Sequence, residues 1–213
     1  MLIADRILML ALSPETGLPL SGVRRDRLQR ALTAALAAEL ALMRRIRLDG
    51  EGRLEVSDAL PLSHPLLGEA LRVLGMAGHA LPAQQMLRFL QQRMGELRVR
   101  IADGLFRRDL LHRGVRWRFW LWPQRVYPLR SRQARNECLA QLHPADPVSA
   151  AAVVRRTVLA LASSAGILDA LPAADAPADV GRRAQDAIGS AISESVRDPL
   201  QALMRELARY TRG

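Results

Sequence analysis

Between Arg93 and Arg135 the chain carries twelve arginines and three acids (Glu96, Asp103 and Asp109), a net charge of +9 in 43 residues. The formal charge of the whole 213-residue chain is +10. Guanidinium forks hold phosphate or carboxylate bidentately, so the chemistry these residues suit is anion recognition. Five of the eight aromatics, Trp117, Phe119, Trp120, Trp122 and Tyr127, fall within eleven residues of this segment, among Arg116, Arg118 and Arg125. Three readings of the combination stand side by side. The apolar residues cap a core while the arginines are solvated; or Trp and Tyr sit in the headgroup zone of a membrane while Arg meets lipid phosphate; or the segment is a basic wing whose aromatics stack on nucleic acid bases. For the membrane reading, roughly 1 kcal/mol per basic residue near an anionic leaflet makes even half of this charge consequential.

Chemistry of other kinds is poorly provided for. The four histidines, His64, His79, His112 and His143, are isolated, with no HExxH spacing and no carboxylate pair on one predicted face. The adjacent Ser63 and His64 do not form a triad, and hydrolase elbows, phosphate-cradling glycine loops and dinucleotide fingerprints are absent from the sequence. The expectation is therefore no enzyme, no metal and no cofactor. A single cysteine, Cys138, rules out an intramolecular disulfide and points to a reducing compartment, the cytoplasm. The opening MLIADRILMLALS is interrupted by Asp5 and Arg6 and reads as a structural element rather than a leader. No stretch reaches the roughly 18 apolar residues that span a bilayer, so a membrane partner implies peripheral association.

The elements that must position these residues are mainly helical. All 31 basic residues are arginine, and the apolar content is dominated by Ala and Leu, which lose little on entering a helix. A mostly α, single domain spanning 1–213 is the expected architecture. Leu28, Leu32, Leu36, Leu40 and Met43 recur at helical steps and predict an amphipathic helix from Asp26 to about Met43. Its first turn collects Arg24, Arg25, Arg27 and Arg30 where the helix dipole disfavours positive charge, a cluster that an anion would relieve. Two short alternating runs around Gly50-Glu51-Gly52 predict a β-hairpin near 45–57, and a second hairpin is expected near 113–128. Helices are expected at Leu66 to Met76 and Ala83 to Leu111, the second interrupted near Gly95 or Gly104. On that second helix Arg93, Arg100 and Arg107 share a stripe beside an apolar face of Leu90, Met94, Leu97, Ile101 and Leu105. Asp146-Pro147 starts a helix to about Ala170, LPAADAPAD is a connector, and a last helix covers Val180 to Tyr210.

Five segments, in order, carry a family likeness: ILMLALSPETG, LAAELALMRRIRL, SDALPLSHPLLGEAL, LRVRIADGLFRRDLL with the hairpin and Tyr127-Pro128-Leu129 after it, and RRTVLALASSAGILDAL. Through them the chain resembles the Golgi phosphoprotein 3 family, whose members read phosphatidylinositol 4-phosphate and tether Golgi glycosyltransferases. The resemblance implies a mostly helical fold and a hairpin, here Gly114 to Arg125, that serves membrane contact and self-association. It also implies a lipid pocket whose four family positions fall on Arg24, Thr33, Gly95 and Arg98; Arg98 alone keeps the family's residue type. The expected headgroup-binding set is therefore Arg98 and the replacement cation Arg24, with Arg27, Arg30 and Arg93 reaching in. Trp117, Phe119, Trp120 and Trp122 form the membrane-inserting set. The partners implied are an anionic membrane lipid, the tails of membrane-protein cargo, and a second copy through the hairpin, with nucleic acid as the rival reading.

Overall fold

The computed structural model describes residues 1–49, 51, 53–118, 122–140, 142, 150–172, 175, 206–207 and 209–211. Helices dominate, as the Ala- and Leu-rich composition predicts. The opening apolar run forms α1 (Ile3–Ala11), of which every residue but Arg6 is buried. Two carboxylates serve its N-terminal end, where backbone N–H groups lack helical partners. Asp5 accepts from the Leu2 N–H at 2.9 Å, and Glu39 of the next helix accepts from the Ile3 N–H at 2.8 Å.

α2 (Arg25–Leu42) is the central helix. The Leu28, Leu32, Leu36 and Leu40 stripe is fully buried, and so is the alanine-rich stretch between, Ala31 through Ala38. Small residues on its remaining faces let α1, α4 (Ala83–Met94), α5 (Leu97–Arg107) and α7 (Ala150–Ser164) pack around it. After α2 the chain forms the first predicted hairpin, β1 (Ile46–Leu48) and β2 (Arg53–Val56), then α3 (Pro65–Gly75), which has Pro65 in its first turn. A two-residue strand, β3 (Leu81–Pro82), joins β2 to complete a three-stranded antiparallel sheet.

The helix predicted from Ala83 to Leu111 is two helices, and the break is at Gly95 rather than Gly104. Gly95 takes φ 66° and ψ −148°, a conformation that side-chain-bearing residues avoid. The apolar face survives the break, since Leu90, Met94, Leu97, Ile101 and Leu105 are all buried. The arginine stripe does not. Arg93 stacks its guanidinium 5.2 Å over the Phe89 ring on α4, Arg100 turns to Glu69 of α3 and to the Met94 carbonyl at 3.0 Å, and Arg107 donates to the Asp103 carbonyl. The Arg100 guanidinium holds the Glu69 carboxyl below its ordinary range.

The second hairpin, β4 (Gly114–Arg118) and β5 (Trp122–Val126), sits where the sequence predicts, with Trp117 opposite Pro123 and Arg118 opposite Trp122. Its base is stapled to the first loop. Leu129 donates to the Pro14 carbonyl and Tyr127 to the Gly17 carbonyl, at 2.9 and 3.2 Å. Gly17 has φ 65°, and a Cβ there would lie 2.1 Å from the Tyr127 carbonyl carbon, so this close approach needs glycine. α6 (Arg132–Ala140) follows, then α7, the left-handed Gly166 (φ 74°) and α8 (Ile167–Ala170). The predicted helix running to Ala170 is thus interrupted at Gly166. Its proposed Asp146-Pro147 start lies outside the described residues, as does most of the predicted Val180 to Tyr210 helix. The described residues near Tyr210 are helical, and Leu207 and Tyr210 join the same buried cluster as α1 and α2.

Candidate anion site

The first turn of α2, the end of α4 and the start of α5 enclose a cleft of about 390 Å³. Its construction begins with Gln29. The side-chain amide of Gln29 donates to the Gly95 carbonyl at 2.5 Å and accepts from the Leu97 N–H at 3.1 Å, so both of its ends close on the α4–α5 break. One amide thereby satisfies an orphan donor at the start of α5 and fixes the angle at which α5 leaves α4.

Arg98, in the first turn of α5, lines this cleft and is 7% exposed. Its only ion pair among the described residues is with the exposed Glu96, Nη2 to Oε1 at 3.6 Å, and its buried Nη1 has no hydrogen-bond partner. Burying a guanidinium with an unused donor is unfavourable unless something accepts from it, so Arg98 retains capacity for an oxygen ligand. Arg25 lines the same cleft, together with Gln29, Gln91 and Gln92, whose amides can donate to an anion, and with Asp26 and Glu96.

The other expected headgroup residues do not line the cleft. Arg24, the exposed N-cap of α2, places Nε and Nη2 on the Asp26 carboxylate at 3.1 and 3.2 Å. Arg30 reaches the same carboxylate from one turn further on, at 3.0 Å. The Arg24 hydrogen bond and charge hold the Asp26 carboxyl below its ordinary range. The anion that relieves the arginine cluster at this helix start is thus supplied by the chain itself. Arg27 is half-buried on α2, and Arg93 is exposed on the last turn of α4 over Phe89. The cleft therefore joins Arg98 to Arg25, one position from the expected Arg24. The sequence holds a signal for Arg25 in the cluster at 24–30, but choosing among those residues requires the helix phase relative to α5.

The hairpin presents a second surface. Val115 and Trp117, on one face of β4, are 59% and 62% exposed, and their cross-strand partners Arg125 and Pro123 are exposed as well. This face does not cap the core. Phe119 and Trp120 lie outside the described residues, and Trp122 is placed only by its pairing with Arg118. Tyr127 does not take the interfacial place that one of the three readings gives it. It is fully buried and donates its hydroxyl to Asp103 at 2.9 Å, and burial followed by that hydrogen bond raises its pKa. Arg113 stacks on the partly exposed Phe106 at 5.2 Å, extending the cationic surface beside the hairpin.

No described helix is long and apolar enough to cross a membrane, and no described cluster of His, Cys, Asp and Glu has the makings of a metal site. No curated protein matches the chain closely enough to count as a relative. A family model for Golgi phosphoprotein 3 (GPP34) matches residues 3–206, nearly the full length, with the mostly helical architecture and hairpin that the resemblance implies. The chain belongs to the Golgi phosphoprotein 3 family.

Proposed function

We propose that this chain is a peripheral membrane adaptor, not an enzyme, in which Arg98 holds the phosphate of an anionic lipid headgroup and the Trp117 face of the hairpin rests in the interface. The observation that carries the reading is the buried, unpartnered Nη1 of Arg98, a residue that lines a cleft of about 390 Å³. Arg25 supplies the second cation, and the glutamine amides supply neutral donors. Arg24 and Arg30, held on Asp26, contribute long-range positive potential at the same helix end rather than direct contacts. The family ligand, phosphatidylinositol 4-phosphate, is the first headgroup to test. Exposed Trp117 and Val115 suit insertion among headgroups, where an indole places its apolar body in the lipid and its N–H in the polar zone. A cytoplasmic, membrane-associated location and recognition of cargo tails are further parts of this reading.

Vesicle flotation tests it. Phosphatidylcholine vesicles containing phosphatidylinositol 4-phosphate should carry the protein up the gradient, and neutral vesicles should not. Binding that ignores anionic lipid content would sink the proposal. Duplex binding whose log affinity falls linearly with log salt, without competition from lipid, would reassign the surface to nucleic acid.

A further inference from the structure

The wall of the cleft contributed by α4 is braced from behind. Tyr210, 5% exposed, directs its hydroxyl at Gln91 Oε1 and at the Leu87 carbonyl, the latter at 3.3 Å. A phenol has one proton for these two acceptors. Gln91 Oε1 is the closer, and the Leu87 carbonyl already has the helical N–H of residue 91 as its donor. The proton therefore goes to the glutamine. The pKa of Tyr210 is raised to about 12 by burial, so the hydroxyl keeps that proton throughout the physiological range. With its oxygen engaged by the phenol, the end of the Gln91 amide left for a ligand is the Nε2 donor pair.

Resting on the anion-site reading, we propose that Tyr210 is a positioning residue for the cleft: it fixes the Gln91 side-chain amide so that its N–H groups, not its carbonyl oxygen, are offered to a bound phosphate. An unbraced glutamine amide flips, and in half of its orientations it turns an acceptor toward the anion. The turn that carries Tyr210 is anchored independently, because Leu207 is fully buried and Thr211 donates to Ser164 Oγ at 2.7 Å. This separation makes the bracing role testable apart from general docking of the segment.

The test compares Tyr210→Phe, Thr211→Val, Gln91→Ala and the Tyr210→Phe/Gln91→Ala double variant of the whole chain. Each is measured for affinity to phosphatidylcholine vesicles doped with phosphatidylinositol 4-phosphate and for thermal midpoint. Tyr210→Phe should weaken binding on the order of 3-fold, the effect of one lost hydrogen bond. Thr211→Val should lower the midpoint without moving affinity. Tyr210→Phe should add nothing to Gln91→Ala, because the phenol acts only through that amide. Wild-type affinity in Tyr210→Phe, additive losses in the double variant, or equal weakening by Thr211→Val would overturn the bracing role. Arg98→Met separates this failure from failure of the site itself. If Arg98→Met weakens binding about 30-fold while Tyr210→Phe leaves it unchanged, the bracing role alone is wrong; if the wild type does not bind these vesicles, both proposals fall.

Discussion

Arg98 and Arg135 are two buried guanidinium groups with opposite surroundings. Arg135, 4% exposed on α6, donates to the Met9 and Leu12 carbonyls at the end of α1, at 2.9 and 3.0 Å, and to Asp175 Oδ2 at 2.9 Å. Its neighbours lie far away in sequence, so this one side chain caps a helix and ties the segment after α8 to the core. Arg98 is almost equally buried but, among the described residues, pairs only with the exposed Glu96, at 3.6 Å. A buried cation satisfied from within is part of the scaffold, whereas one with an idle donor beside a cleft has capacity for something from outside. Burial alone does not separate the two roles; the fate of each N–H does.

The sharpest way to break this comparison is to remove each charge in turn. Arg135→Met should destabilise the fold by about 3 kcal/mol, because Asp175 and two helix-terminal carbonyls lose their partner together. Urea unfolding checks it, and a midpoint equal to wild type would refute the scaffold role. Arg98→Met should leave stability within about 1 kcal/mol of wild type, or raise it, since an underpaired buried charge gives way to an apolar chain. The same change should weaken binding to phosphatidylinositol 4-phosphate vesicles by about 2 kcal/mol, the scale of a charge-assisted hydrogen bond. If both variants lose stability alike, the distinction fails.

The hairpin extends the contrast to the surface. Trp117→Ala should cost the fold less than about 0.5 kcal/mol because the indole is largely exposed. Vesicle affinity should nevertheless drop about tenfold, the transfer energy of a large apolar side chain. Light scattering on the same variant reports whether this face also joins two copies.

The smallest expected effects concern protons. Burial pushes the Cys138 thiol up to about 12, so a thiol reagent at neutral pH should react only with unfolded chain. The folded state favours the neutral forms of Cys138 and Tyr210, whose ordinary values are 9.0 and 10.0. Their contribution is therefore complete below pH 9 and declines as pH rises toward about 12. A melting temperature that climbs across this interval would contradict the assignment.

Much of the fold is legible in sequence because periodicity and turn chemistry act locally. The Leu28 to Leu40 stripe and both hairpins are examples. Elements defined by distant partners are not. β3 is two residues long and exists only by pairing with β2, and α6 is too polar for its spacing to announce it. The arginine stripe through Arg93, Arg100 and Arg107 misleads because it assumes an unbroken helix, which the backbone of Gly95 and the amide of Gln29 prevent. Tyr127 misleads in another way, since a tyrosine next to an exposed hairpin looks interfacial until Asp103 and Gly17 are brought to it. Within the site, Arg98 is reached through the family pattern, whereas Arg25, Gln29 and Gln91 emerge only when α2, α4 and α5 are set side by side.

On the proposed function, Arg98 is buried with an idle donor because an anion completes it. A crystal structure with a soluble inositol phosphate headgroup tests this most directly. A phosphate oxygen should lie about 3 Å from Arg98 Nη1, inside the cleft lined by Arg25 and Gln91. A headgroup bound elsewhere, with Arg98 Nη1 unchanged, would contradict it.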